Sequence, residues 1–289
     1  MERYQNPRNI AILLPTYNGE SYLSDLIDSI IGQTYQGFTL FIRDDGSIDK
    51  SVDIAQKYAE DKKNVVIIPF EKNYGARYSF LAMMEMIDSE YYMFCDQDDI
   101  WMPTKVEDTY NKMLESETVY PHIPIVIHTD LRVVDGNLNL ISESFWKYRG
   151  FDVYLPHSFP YLCHFNDVTG CTMMINKLTQ ESCRGILDFQ FPDFMYYDNM
   201  VCILAVKADG IVIPLNKQTV IYRRHGDNET DALKFGKSVF SRLNKIGEYI
   251  CSQRQRHAFF KQFGYGSFAK FMYYKVKLYI IRKWKKQQD

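Results

Sequence analysis

The chain has 289 residues, room for one large domain or a domain with a modest extension; its 46% apolar and 24% charged residues are ordinary for a globular protein, and its 22 Tyr and 19 Phe are not. A net charge of −2 names no partner, but from residue 232 onward 14 Lys and Arg face two acids, so a basic tail follows an acidic body and suggests an anionic surface as partner. No run of 18 apolar residues exists, which excludes an evident membrane-spanning helix, and the first apolar run, IAILL, has the length of a strand rather than of a signal peptide.

That run, residues 10–14, ends at Pro15 and reads as a buried parallel strand. A helical pattern follows, with Leu23, Leu26, Ile27, Ile30 and Ile31 on one face. FTLFI (38–42) is a second strand, ended by Arg43-Asp44-Asp45-Gly46-Ser47, and Asp49 can cap the next helix. VVII (65–68), a helix over 76–88 and the strand EYYMFC (90–95) complete a β-α-β-α-β-α-β order within 100 residues. Such an order predicts a parallel sheet covered on both sides, with ligands beyond the carboxyl ends of its strands. Four polar clusters, 15–18, 44–47, 73–75 and 96–99, all follow strands and should meet at one rim. The second half is less regular. IPIVIHTDLRVVD (123–135) reads as strand, loop and strand, and 136–165 as loops with short helices. A strand lies within 167–177, a short helix over 178–187 and a longer one over 196–210, and IVIP (211–214) and QTVIYRRH (218–225) look like two strands.

The six cysteines show no CxxC pair or zinc spacing, and Cys95 and Cys202 read as small buried hydrophobes, which fits a reduced, cytoplasmic protein. Asp96, Asp98 and Asp99 crowd carboxylates that raise one another's pKa unless a cation or hydrogen bonds offset them. A divalent ion such as Mg2+ or Mn2+ does so and needs only one or two protein carboxylates when phosphates supply further ligands; a solvated acidic loop with a helix cap is the plainer alternative. Asp44 and Asp45 could contact a ribose hydroxyl or a base N–H, or one of them could simply make a turn with Gly46. Neither GxGxxG nor GxxxxGK[ST] occurs, which argues against a dinucleotide fold and a P-loop.

Taken in order, PTYNG (15–19), RDDGSID (43–49), NYG (73–75) and DQDD (96–99) followed by IW.P.K resemble the inverting, GT-A-type glycosyltransferases of family 2. Within them the chain is most similar to the bacterial rhamnosyltransferase-like branch, which builds cell-surface polysaccharide; the resemblance covers roughly residues 8 to 230. It implies an α/β GT-A fold with a mostly parallel central sheet flanked by helices. The implied division is a glycosyltransferase domain over 1–230, with a nucleotide-sugar-binding half (8–120) and an acceptor-binding half (121–230), then a basic amphipathic helical extension over 231–289. By the same resemblance Pro15, Tyr17, Asp44 and Asp45 correspond to base and ribose contacts, with Asn73 and Gly75 beside them in the donor site. Asp96 and Asp98 match the DxD, Asp98 as the direct ligand of Mn2+ or Mg2+ and Asp99 as its neighbour. Asp198 matches the base that takes the acceptor's proton, although Tyr197 stands where the family has an acid or a histidine. Tyr222-Arg223-Arg224-His225-Gly226 corresponds to YRxHG, so that Arg224 could neutralise phosphate and His225 approach the metal or diphosphate.

The implied reaction is a single, metal-assisted displacement of a sugar from a UDP- or dTDP-sugar to a hydroxyl of a saccharide acceptor, expected to be polyprenyl-diphosphate-linked. The tail interleaves aromatic and apolar residues with Lys and Arg, which suits a peripheral position on an anionic membrane surface, the inner face of a bacterial plasma membrane. A dimer-forming helix pair is the competing reading of the tail, and nucleic-acid binding is disfavoured by the acidic body. Against the enzyme stands an inactive relative serving as a nucleotide-sugar-binding or scaffold subunit; loss of Asp98 or Asp198 would favour it, and both are present.

Overall fold

The computed structural model describes residues 4–69, 72–224 and 246–285. In chain order the first elements are β1 (Tyr4–Gln5), β2 (Ile10–Thr16), α1 (Leu23–Ile31), β3 (Phe38–Asp44), α2 (Ser51–Asp61), β4 (Val65–Ile68) and α3 (Ala76–Met86). They are followed by β5 (Ile87–Asp88), β6 (Tyr91–Phe94), β7 (Ile100–Trp101), α4 (Lys105–Val119), β8 (Ile125–Asp135), β9 (Leu140–Ser142), α5 (Phe145–Arg149) and α6 (Phe159–Leu162). The chain continues through β10 (Met173–Asn176), α7 (Lys177–Ser182), α8 (Tyr197–Lys207), β11 (Ile211–Arg224), α9 (Ile246–Lys261) and α10 (Phe268–Lys285).

Two compact units result, one from the residues up to His157 together with Asp167–Arg223, the other from Ser158–Asn166 together with the residues from Arg224 on. In the first, a nine-stranded sheet among the described residues runs β4-β3-β2-β6-β10-β8-β11-β7, with β9 on β8. Its first four strands are parallel, and from β10 the paired strands run antiparallel, so the parallel character belongs to the half that precedes residue 95. Ile10 to Leu14 are wholly buried because β2 lies between β3 and β6 with helices over both faces. Each of the four Ile and Leu side chains contributes about 1.5–3 kcal/mol of burial. Helix α1 packs through Leu23, Leu26, Ile27 and Ile30, all at 0% exposure, the face its spacing predicts.

Register is what builds the site. Thr16 pairs with Asp44, and Phe94 with Leu13, three residues before β2 ends, so the loops after β2, β3 and β6 all leave at the same edge of the sheet, the β6 loop first. Two segments differ from their sequence reading. Residues 125–135 form one strand, because the central polar residues are absorbed: the Thr129 and Thr219 hydroxyls share a hydrogen bond of 2.6 Å, and Asp130 accepts from the Trp146 N–H and the Gln218 amide, each at 3.1 Å. Residues 211–224 are likewise one strand, which carries Pro214 at a half-buried stretch and pairs with β7 only further on, at Val220 and Ile221.

The second unit is a helical assembly. Helices α9 and α10 are joined by a turn in which Gly264 takes φ 84°, a left-handed value that glycine adopts without a Cβ penalty. Phe260 and Phe271 are wholly buried, with Phe259, Phe263 and Tyr265 around them, and the 158–166 segment adds His164, whose ring centre lies 4.2 Å from that of Phe271. Burial, then Lys275 and Arg256, hold His164 down at about 3, so it is a neutral packing group.

Candidate active site

The rim loops are stitched together by side chains. Gln97, the middle of DQDD, accepts from the Thr16 hydroxyl at 2.7 Å and the Tyr17 N–H at 2.9 Å, and its amide donates to the Tyr17 carbonyl at 3.0 Å. The loop after β2 is tied equally to the loop after β3: the Asn18 N–H donates to Ser47 Oγ, the Gly19 N–H to Ser51 Oγ and the Ile48 N–H to Asn18 Oδ1. Asn18 holds φ 49°, a left-handed position that asparagine tolerates. Tyr17 is left 51% exposed at the rim, beside half-buried Pro15.

The two neighbouring acids after β3 separate into distinct environments. Asp44 accepts from the Gly46 and Ser47 N–H groups at 2.8 Å each and from the Ser47 hydroxyl, which is the turn-forming role. Asp45 is buried, paired with the wholly buried Arg43 guanidinium and accepting from Ser79 Oγ. Asn73 donates to the Asp45 carbonyl at 2.7 Å and accepts from the Gly75 N–H at 2.7 Å, and Gly75 turns the chain into α3 at φ 70°. Tyr74 lies over the Arg43 guanidinium, 4.5 Å from its ring centre. The structure thus brings Pro15, Tyr17, Asp44, Asp45, Asn73 and Gly75 together, with Asp44 nearer solvent and Asp45 inside.

Behind the DQDD loop lies a buried polar centre. An Asp96 oxygen, an Asp99 oxygen and the Cys171 sulfur lie within 4.8 Å of one another. Burial drives the Asp99 carboxyl well above the usual range, and the Asp98 and Asp96 charges add to it. Neither Asp99 oxygen makes a hydrogen bond of ordinary geometry among the described residues, although the Cys171 thiol is close enough to favour the carboxylate. Lys105, wholly buried, is the counter-charge; burial lowers it to about 8, and its ammonium sits 4.6 Å from the Trp101 ring centre and 3.4 Å from Thr219 Oγ1. These residues fit a hard divalent cation. Asp96 and Asp99 offer carboxylate oxygens within one cluster, which does not include Asp98, although the Asp98 charge acts on Asp99; burial pushes the Cys171 thiol in that cluster well up, toward its protonated form. Among them Asp96 and Asp98 keep partial exposure, whereas Asp99 has none.

Asp198 stands in the first turn of α8, half-buried, its Oδ1 taking the Asn199 N–H at 2.6 Å. A carboxylate at a helix N-terminus is favoured in its charged form. The preceding Tyr197 is buried, stacked 4.3 Å from the Phe80 ring centre and 5.6 Å from that of Phe94. Its hydroxyl rests on Gly170 so closely that a Cβ there would lie 1.9 Å from it. Arg223, at the end of β11, pairs with Asp25 at 3.1 Å and covers the Tyr22 ring. Arg224 closes that strand half-buried, and His225 lies outside the described residues.

Several side chains in this arrangement are not singled out by sequence reasoning: Gln97, Arg43, Ser79, Lys105 and Tyr197 as a structural part. Arg43 of RDDGSID, Gln97 of DQDD and Lys105 of IW.P.K lie inside the quoted motifs, but spacing suggests no role for any of them, and Ser79 carries no signal.

Comparison with known proteins gives the family. Residues 11–180 match Glycosyl transferase family 2. The chain belongs to that family. It is 28% identical over 111 residues to the "Putative teichuronic acid biosynthesis glycosyltransferase TuaG" of Bacillus subtilis, a match that covers 38% of this chain and 44% of that protein. It is 25% identical over 242 residues to the "dTDP-rhamnosyl transferase RfbG" of Shigella flexneri, over 81% of this chain and 78% of the relative. Its matches span under half the length of several relatives, the Bacillus protein among them. Among solved structures, S. aureus TarS 1-349 in complex with UDP-GlcNAc is similar with a TM-score of 0.58 at 17% identity, over 78% of this chain and 62% of that one. That likeness establishes the GT-A fold.

Proposed function

We propose that the protein transfers a sugar from a UDP- or dTDP-sugar to a hydroxyl of a saccharide acceptor in surface-polysaccharide synthesis, with inversion at the anomeric carbon. The observation that carries this reading is the approach of the α8 N-terminus to the DQDD loop: the hydroxyl of Tyr197, one residue before Asp198, rests on Gly170, and the sulfur of the next residue, Cys171, lies within 4.8 Å of Asp96 and Asp99 oxygens. Asp198 serves as the base that removes the acceptor's proton. Asp98 and Asp96 hold Mn2+ or Mg2+, which when bound offsets charge on the departing nucleotide diphosphate. Tyr17 and Pro15 flank the base, and the outer edge of Asp44 meets the ribose while Asp45, inside, keeps that loop in place. Arg224 and His225 are assigned to the diphosphate by motif order. The names of the relatives support the donor classes: RfbG is called a dTDP-rhamnosyl transferase and TarS is seen with UDP-GlcNAc. A test is to compare Asp198→Asn with wild type in donor binding and in turnover. Binding is expected to persist while turnover falls about 10²- to 10⁴-fold; equal turnover would remove Asp198 from the role.

We assign the second unit to an anionic membrane surface, the inner face of the bacterial plasma membrane, where a polyprenyl-diphosphate-linked acceptor resides. No helix among the described residues is long and apolar enough to cross a membrane. Instead α10 carries apolar residues on two faces. Phe271 is buried, whereas Tyr273, Val276 and Ile280, at spacings of three and four, are each more than half exposed, with Lys270 and Lys277 beside them. A helix-pair homodimer through the same stripe is the competing occupant.

A further inference from the structure

Tyr197 is the one position of the base motif at which this chain departs from its family's acid or histidine, and its surroundings give the departure a purpose. The side chain is 8% exposed, and its hydroxyl makes no hydrogen bond among the described residues. A buried hydroxyl left unsatisfied costs about 1–3 kcal/mol. The ring cannot swing away to relieve this, because Phe80 stacks on it at an interplanar angle of 25° and Phe94 closes a further side. Nor can the hydroxyl slide along Gly170, which it already touches. The next residue, Cys171, has its sulfur within 4.8 Å of carboxylate oxygens of both Asp96 and Asp99. The phenol is thus clamped below the DQDD loop, among the Cys95 and Cys171 thiols, which are weak acceptors, and the Asp96 and Asp198 carboxylates, of which Asp198 is its immediate neighbour on α8 and so does not face it. Asp96 is half-buried at the start of the loop after β6, on the same side as that thiol.

We propose that Tyr197 is a positioning residue for the cation site: its hydroxyl donates to one oxygen of Asp96 when a divalent cation occupies the loop, aiming the other oxygen at the ion. The bond would tie the first turn of α8, which carries Asp198, to the loop that carries the metal ligands. Gly170 is required for it, since any side chain there would displace the hydroxyl. A phenol suits this place because it donates without adding a further negative charge beside Asp96 and Asp98. The inference rests on the metal reading above.

The experiment is direct Mn2+ binding, followed by the electron paramagnetic resonance signal of the free ion, on wild type, Tyr197→Phe and Asp98→Ala, with donor turnover measured across Mn2+ concentrations. Tyr197→Phe keeps the ring stack and should bind Mn2+ about ten- to a hundredfold more weakly, the worth of one hydrogen bond to a charged group. Turnover at saturating Mn2+ should return close to the wild-type value, which a merely structural defect would not allow. Gly170→Ala should weaken Mn2+ in the same direction. Unchanged Mn2+ affinity in Tyr197→Phe, with Asp98→Ala impaired, would overturn this inference and leave the metal reading intact. Absence of Mn2+ binding in wild type would overturn both.

Discussion

Arg43 shows how much of a site can rest on a residue that never meets the substrate. It is wholly buried, pairs with Asp45 and stacks under Tyr74, so one cation fixes both the loop after β3 and the loop before α3. Arg43→Met would leave the Asp45 charge buried and uncompensated, at a cost of about 3–5 kcal/mol, measurable as a lower urea midpoint of unfolding. Lys105 carries a prediction about pH. Its folded value is lowered to about 8 from an ordinary 10.5, so below pH 8 the ammonium is charged in both states and burial of that charge opposes folding in full. Between pH 8 and 10.5 the folded chain releases this proton and the unfolded chain keeps it, so stability rises across that window. Relative to Lys105→Met, wild type should gain up to about 3 kcal/mol there; a constant difference between the two would contradict the assignment. Neighbouring acids are where sequence reading stops at this scale. Asp44 and Asp45 are equivalent letters in RDDG, and only the side toward which each strand-end residue points sends one to solvent and the other to Arg43.

At the scale of elements, the parallel half of the sheet was legible because its strands are unbroken apolar runs and its helices repeat apolar residues at three and four. The rim followed from it, since register delivers the strand ends together. What escaped were strands whose polar residues find partners inside the fold. His128-Thr129-Asp130 reads as a loop in one dimension, and becomes the middle of a buried strand once Thr219 satisfies Thr129, Gln218 and the Trp146 N–H satisfy Asp130, and burial keeps His128 neutral. The clamp between loops was equally invisible, because Gln97 acts across 80 residues of chain. Gln97→Ala removes three hydrogen bonds between the β2 and β6 loops, and the donor KM should rise about tenfold with a smaller change in kcat. Equal loss in both parameters, with a lowered melting temperature, would mark the clamp as a fold element alone.

At the scale of the whole molecule, the chain combines a sheet-based unit that carries the acids with a helical unit that carries most of the surplus cations. The α10 stripe predicts that Val276→Glu combined with Ile280→Glu abolishes sedimentation with vesicles containing anionic lipid. Unfolding of the free protein should not change, since both sites are exposed. Binding of the wild type should weaken with salt, as exposed Lys270 and Lys277 are screened. Sedimentation that survives both changes would move the partner elsewhere, and a loss of dimers without loss of vesicle binding would favour the helix pair. The central claim concerns the other unit. Its most direct test is nucleoside-diphosphate release from a panel of UDP- and dTDP-sugars, with Mn2+ or Mg2+ and with EDTA, on wild type and Asp98→Ala. Release from one donor that disappears both with EDTA and in Asp98→Ala is the expected result; release that is indifferent to EDTA and to Asp98 would contradict metal-assisted transfer at this rim.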